Sequence, residues 1–430
     1  MSTNRLGDRL AGGARLLLYA LPALFVIGQS AADIALILIA ILFLIESVRT
    51  QTWGWLRTSW VTLALGIWVY LLLISPLSND PWAALDRAAP FVRFVVFAAA
   101  LQHWLLPDPA TLRRFLQALG IVVALVVADC LLQFATGYDV FGRPYADLRL
   151  TGPFGDNVPG TFLGKTSLPV LGMILGLTAP RAHGGARWLV ALLAGLLAVT
   201  IALTGERMAL LTFCLGLAFA ALFTAGMRKF LLAGGLIAVS VIVGGLLLNG
   251  DLRTRLVDAT VADLDGFWGG RYGHIFVRSV RLWRAEPVFG VGLKQFRDRC
   301  ENPDFRFTGP IEKRCFSHPH NIWLEWLVEG GGIAFLGFLG LVGLWIRELA
   351  TPFTRWSAPP LAAATCAAVL VFLWPLQSTM SFFTNWNAIL FWLMLGLALA
   401  VCRPRALVRA DPNHAGSGDA PPAPPPPAGR

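Results

Sequence analysis

The chain has 430 residues, of which 56% are hydrophobic and only 14% charged, with a mean hydropathy of +0.64. A soluble domain has no way to hide that much apolar surface, whereas a bilayer accepts it, so the composition excludes a soluble enzyme and points to an integral membrane protein. The formal net charge of +10 sits largely in short loops, where it is a topology signal and a poor argument for nucleic-acid binding.

Apolar runs of the roughly 17–25 residues needed to cross hydrocarbon fall at about 14–28, 31–47, 59–76, 88–105, 112–134, 160–179, 187–203, 208–225, 229–248, 321–346, 359–377 and 384–402. They predict an all-α integral membrane protein of about twelve transmembrane helices. The first run has no small-residue cleavage site and a second follows at once, so it reads as a retained span. Arg5, Arg9 and Arg15 precede it, and Arg49 with Arg57, Arg113 with Arg114, Arg181 with Arg187, Arg228 with Lys229, and Arg347 with Arg355 occupy every second connection. Arg403, Arg405 and Arg409 follow the last span, while the short connections around 28–30 and 378–383 carry no Lys or Arg. The positive-inside rule then expects both termini in the cytoplasm.

That topology divides the chain into spans one to nine (1–248), a large, mostly helical loop on the outer side (249–320), spans ten to twelve (321–402) and a tail (403–430). The tail is rich in Pro, Ala and Gly, cannot build a core, and is expected to be a disordered cytoplasmic extension. A Gly172–Gly176 pair at GxxxG spacing suits close helix packing. Cys130, Cys214, Cys366 and Cys402 lie in spans or at their ends and read as packing residues. Cys300 and Cys315 lie in the outer loop with fourteen residues between them. In an oxidising compartment they either pair, closing a loop worth roughly 3 kcal/mol, or remain free thiols. No C-x-x-C motif suggests zinc.

Charge on the outer side concentrates in the loop. Arg271, Arg278 and Arg281 recur at helical spacing through 271–284. Such a helix suits the membrane surface, with Ile275, Phe276 and Leu282 as its apolar contact and anionic headgroups as its partners. The sharper alternative is a cationic site for a phosphorylated lipid, because guanidinium forks match phosphate oxygens. Arg207 sits where the seventh span turns into the eighth, paired with Glu206, snorkelling, or facing a wet cavity. Arg149 has the same ambiguity, and Lys165 and Arg93 lie close enough to reach the same cavity.

The segment Ser317-His318-Pro319-His320-Asn321 joins the polar loop to a hydrophobic run that carries Glu325 and Glu329. Pro319 suits a first helical turn, so the tenth span is expected to start near 318–320. A helix N-terminus and the nearby Arg314 would then favour a neutral His320, the form a general base requires. His318 reads more readily as a residue just before the helix. Glu325 and Glu329 share one face at i,i+4 but point away from His320, and are expected to pair with cations on neighbouring spans.

Three elements resemble the O-antigen ligase and O-antigen polymerase superfamily. Leu203-Thr204-Gly205-Glu206-Arg207-Met208-Ala209-Leu210-Leu211 resembles its Thr-Gly-Ser-Arg-Gly-Ala-Leu-Leu element, with Glu206 for Ser and Met208 for Gly. Arg271 followed by Glu286-Pro287-Val288-Phe289-Gly290-Val291-Gly292 resembles its Arg…Asp-His-Pro-Leu-Leu-Gly-Val-Gly element. His320-Asn321-x-x-Leu324 with Glu329-Gly330-Gly331 resembles its His-Asn-x-x-Leu…Glu-x-Gly element. The resemblance implies a multi-pass enzyme of the bacterial inner membrane, its active site facing the periplasm and its loop between spans nine and ten. It would move a glycan from undecaprenyl diphosphate to a sugar of lipid A–core, without a cofactor and among membrane lipids. By resemblance His320 is the base and Arg207 and Arg271 clamp the diphosphate. Arg149 and Lys165 are further candidates for that clamp, and His318, Arg278 and Arg281 secondary ones. Asp263-Leu264-Asp265 is formally a D-x-D, but two acids one residue apart recur by chance and arginines can neutralise a diphosphate without metal, so metal independence is expected. An in-line attack would invert the anomeric centre. The polymerase and a protein O-oligosaccharyltransferase remain alternatives, as more remotely does a twelve-span transporter or flippase.

Overall fold

The structure is a computed structural model that describes residues 2–145, 149–178, 185–224, 226–248, 250–302, 315–354 and 357–403. Arg181, Arg314, Arg355 and the tail from 404 therefore lie outside the described residues, as does the side chain of Arg271. Among the described residues the chain is all-helical, with two isolated bridges and no strand. In chain order the helices are α1 (Ser2–Ile27), α2 (Gln29–Thr50), α3 (Ser59–Ile74), α4 (Pro81–Ala88), α5 (Val92–Ala100), α6 (Pro109–Thr136), α7 (Pro159–Thr178), α8 (Gly185–Leu203) and α9 (Arg207–Phe223). There follow α10 (Arg228–Leu248), α11 (Gly250–Arg253), α12 (Ala259–Asp265), α13 (Arg271–Ala285), α14 (Phe296–Glu301), α15 (Ile322–Leu349), α16 (Pro360–Leu373) and α17 (Asn385–Cys402).

Eight of these, α1, α2, α3, α6, α7, α10, α15 and α17, are long and apolar enough to cross a membrane. Three more, Arg187–Leu203, Arg207–Phe223 and Pro360–Leu373, are apolar but shorter. The span expected at 88–105 is a broken run. Asp80 caps α4 by accepting from the Ala83 amide at 3.0 Å. The chain then tightens into a 3-10 turn at Ala89–Phe91 and widens into a π-turn at Leu101–Leu105. Pro90 lacks the amide that a continuous helix would use there.

The run expected at 359–377 also ends early. Helix α16 stops at Leu373, and Trp374, held extended before Pro375 (ψ 118°), turns the chain into a link that reaches Thr384. Helix α17 is the hub of the bundle, buried along nearly its whole length. Around it an aromatic cluster of Phe91, Trp326, Phe338, Phe382, Phe391 and Trp392 packs in edge-on and tilted pairs, with Trp326 and Phe338 stacked parallel. Helices α7 and α16 approach closely at Gly172, where a Cβ would lie 2.4 Å from that of Ala364; Gly176 meets nothing within 4 Å. Only the first glycine of the GxxxG pair is used for packing.

Beyond the bundle, the apolar face of α13 turns inward. Leu282, Val291, Phe296, Cys300 and Val328 form a small core of their own, and Ile275 is buried while Phe276 is exposed. The arginine helix thus docks on protein, and its expected apolar contact with the membrane is limited to Phe276. Cys300 and Cys315 are joined in a disulfide.

One helix is interrupted. Gly331, inside α15, has φ 74° and ψ −177°, a conformation open essentially only to glycine. The backbone groups freed by the break are taken by the turn at 287–292. Val291 donates to Val328 (2.9 Å), Gly292 to Glu329 (3.1 Å), and Gly332 to Pro287 (2.8 Å). Two of the sequence elements that suggested a family therefore meet as one backbone junction.

Candidate functional site

The site is built at the end of the bundle where α15 begins. Asn321, not Pro319, starts that helix. Its side-chain oxygen accepts from the amides of Trp323 (3.0 Å) and Leu324 (3.1 Å), as an N-cap does. Its Nδ2 donates to the carbonyls of Pro375 (2.7 Å) and Gln377 (3.2 Å), tying the helix start to the link between α16 and α17. His320 precedes the cap, in the left-handed region at φ 52°. The positive end of α15 is thus met by the Asn321 carbonyl, and the expectation that it acts directly on His320 loses its geometry.

A non-glycine residue at such a φ costs of order 1–3 kcal/mol and persists only where its surroundings hold it. Here the Thr379 amide donates to the His320 carbonyl at 2.8 Å, Phe316 meets the ring edge-on at 5.2 Å, and the His318 ring lies 4.2 Å away. His318 is itself pinned. Its Nε2 lies 3.1 Å from the Thr379 carbonyl, so it carries the proton and donates, which leaves Nδ1 to accept from the Ser317 hydroxyl at 3.0 Å. Burial holds the His318 pKa below its ordinary value; the Arg87 charge adds to that, and the hydrogen bond to Thr379 works against it. These contacts favour the neutral ring of His318.

His320 opens onto a polar cavity of about 180 Å³. Lys165 enters it from α7, Thr161 and Gly164 line the same wall, Met208, Ala209 and Thr212 come from α9, and Gln377 to Met380 from the link. Lys165 is only 5% exposed; its ammonium donates to Asn387 Oδ1 at 3.0 Å and lies 4.2 Å above the Phe372 ring. The cavity therefore gathers His320, Lys165 and residues adjoining Arg207.

Among the described residues the buried acids are held by hydrogen bonds rather than ion pairs. Glu325 accepts from the Ser381 hydroxyl and from the Phe382 amide at 2.7 Å, and Glu329 accepts from the Lys294 amide at 3.0 Å. Among the described residues no ion pair holds either one, which corrects the expectation of cationic partners on neighbouring spans. Neutral donors in two connecting segments satisfy them instead. Glu206 works in the same way. It accepts from the Gly160 and Thr161 amides (2.7 and 3.0 Å) and from the Thr161 hydroxyl (2.5 Å), placing a carboxylate over the N-terminus of α7.

Arg207, expected to pair with Glu206 or face the cavity, turns to α12. Its guanidinium donates to Asp263 at 2.7 Å and to the Thr260 hydroxyl at 3.0 Å. Arg149 is half-buried and does not line the cavity. Arg278 is buried, 4.0 Å from the Cys315 sulfur, and Arg281 is exposed on α13. Arg93, placed by sequence near the same cavity, is committed to Asp33 at 2.9 Å and to Asn385 at 2.9 Å. Among the described residues no three His, Cys, Asp or Glu side chains gather as a metal site would require. The residues that sequence reasoning missed are Thr161, Gln377, Thr379 and Asn387. Their only signal was the polar tract Gln377-Ser378-Thr379 in a connection otherwise noticed for lacking charge.

Fold and site together define a multi-pass, all-helical membrane protein with a polar, histidine-bearing cavity at one end of its bundle. Residues 192–339 match the family model described as O-antigen ligase. The matched stretch runs from α8 past the break in α15 and contains Arg207, Arg271, the 286–292 turn and His320. Over that stretch, about a third of the chain, the protein is similar to the O-antigen ligase family. No curated relative matches the chain.

Proposed function

We propose that the protein is an O-antigen ligase that transfers a glycan from undecaprenyl diphosphate to a sugar hydroxyl of lipid A–core at the periplasmic face of the inner membrane. The observation that carries this reading is the cavity that His320 and Lys165 share, lined also by Met208, the residue after Arg207 in the chain. An acceptor hydroxyl at His320 loses its proton to the imidazole as its oxygen attacks the anomeric carbon. The bond from that carbon to the diphosphate oxygen breaks, and undecaprenyl diphosphate leaves with the bonding pair. Lys165 and Arg207, with Arg271 and Arg149 as further candidates, offset the charge that collects on the leaving oxygens. Attack from the face opposite the leaving group inverts the centre. The bundle is read as twelve spans, with the broken α4–α5 run and the three shorter helices completing the eight longer ones, and both termini cytoplasmic.

Reconstitution in liposomes with undecaprenyl-linked glycan, offering lipid A–core, a second lipid-linked glycan and a protein acceptor in parallel, tests the reading. Transfer to lipid A–core is expected, and His320→Ala is expected to reduce it by at least 10²-fold while leaving the protein inserted. Activity of His320→Ala near that of the wild type overturns the base assignment. Transfer only to the second lipid-linked glycan or to protein replaces the ligase with one of its relatives.

A further inference from the structure

Arg207 is the one donor-site arginine in the O-antigen-ligase-like motif of α9 whose side chain is described, and it is already engaged by α12. Both terminal nitrogens of its guanidinium are used, one by the Asp263 carboxylate at 2.7 Å and the other by the Thr260 hydroxyl at 3.0 Å. A carboxylate and a phosphate approach a guanidinium in the same way, through paired oxygens along its N–H edge. Asp263 therefore takes one terminal nitrogen of the fork and Thr260 the other, and a diphosphate that binds through both nitrogens competes with them.

From this geometry we propose that Asp263 competes with the donor diphosphate for Arg207, so that donor binding releases α12 from the start of α9. The proposal rests on the reading of Arg207 as a diphosphate-binding residue. Three features favour exchange over permanent pairing. Arg207 is 25% and Asp263 45% exposed at the side chain, so the pair is hydrated and weak. A diphosphate carries more charge than one carboxylate and offers more oxygens to the fork. Helix α12 is a seven-residue piece without a single buried residue, so its release uncovers no core. The contrast with Glu206 is instructive: that acid, one residue away on the chain, is buried and held by three donors from α7, which leaves Arg207 with a partner that can leave. Asp263 is thus a positioning residue. It sets the affinity for donor and the place of α12, and it takes no part in bond making.

The test measures steady-state transfer by the full-length protein in liposomes as undecaprenyl-diphosphate-linked glycan is varied. Wild type is compared with Asp263→Asn, Asp263→Glu, Thr260→Val and Arg207→Ala. Asp263→Asn is expected to lower the donor KM about two- to fivefold with kcat unchanged, the size of an exposed ion pair. Thr260→Val should shift KM the same way by less, and Asp263→Glu should restore the wild-type value. Arg207→Ala should raise KM at least tenfold. A donor KM that rises or stays the same in Asp263→Asn, while Arg207→Ala raises it, overturns the competition alone and leaves Asp263 as a support for Arg207. A wild-type KM in Arg207→Ala overturns the diphosphate role of Arg207 and the competition with it.

Discussion

The start of α15 and the pieces from α11 to α14 hold charge in opposite ways. Around α15 the acids Glu325 and Glu329 are buried, and neutral amides and a hydroxyl bind them. Among α11 to α14 Arg278 is buried, but hydrated ion pairs tie other charges of the region, Arg207 with Asp263, Lys294 with Asp86 and Arg299 with Glu286. A buried carboxylate with fixed dipoles around it cannot exchange partners without leaving polar groups unsatisfied. A hydrated ion pair loses little when one member leaves. The first region is a frame that holds His320 in its left-handed conformation, and the second is a surface whose contacts can be traded for those of a ligand.

The sharpest way to break this comparison is Glu325→Ala, which strands the Ser381 hydroxyl and the Phe382 amide. At about 1–3 kcal/mol for each unpaired buried donor, the loss should be about 4 kcal/mol, read as a large drop in the melting temperature of the detergent-solubilised protein. A change below about 1 kcal/mol would mean that the link between α16 and α17 is held by something else. In the loop region the corresponding anchor is covalent. Cys300→Ser should cost about 3 kcal/mol for the loss of a loop closed over a sequence separation of 15. That effect should vanish when wild type and variant are compared under reducing conditions.

The smallest effect concerns pH. The His318 pKa is lowered by burial, so the folded protein prefers the neutral ring while the unfolded chain protonates near its ordinary value of about 6.5. Stability from this group is therefore complete above about pH 6.5 and is lost as the pH falls through the folded value. His318→Gln should flatten the acid limb of melting temperature against pH. An unchanged limb would mean that the frame does not depend on a neutral His318.

The bundle was legible in the sequence because apolar run length is a local signal that a bilayer imposes on every span. Where the runs misled, a single residue decided. Pro90 interrupts the run at 88–105, Pro375 ends α16 at Leu373, and Asn321 outcompetes Pro319 for the start of α15 because its carbonyl can serve two amides. The histidine and the arginines were legible as charge where charge is expensive. Their partners were not. That Arg207 reaches Asp263 across 56 positions, or that Glu325 takes donors from residues 381 and 382, follows from how helices pack, and no periodicity encodes it. The connection at 375–384 carries no ionised group to mark it, and its contribution to the site is made through backbone carbonyls, amides and amide side chains.

The break in α15 has a consequence for how the chain is assembled. Residues 287–292 are synthesised before 328–333, the stretch whose backbone they pair with. The turn therefore leaves the ribosome with its hydrogen-bonding groups unmatched, and it finds them only when the helix that follows it in sequence has been placed. The segment between α10 and α15 therefore has its backbone partners only once α15 is in place, and His320 lies on that segment, immediately before the Asn321 cap.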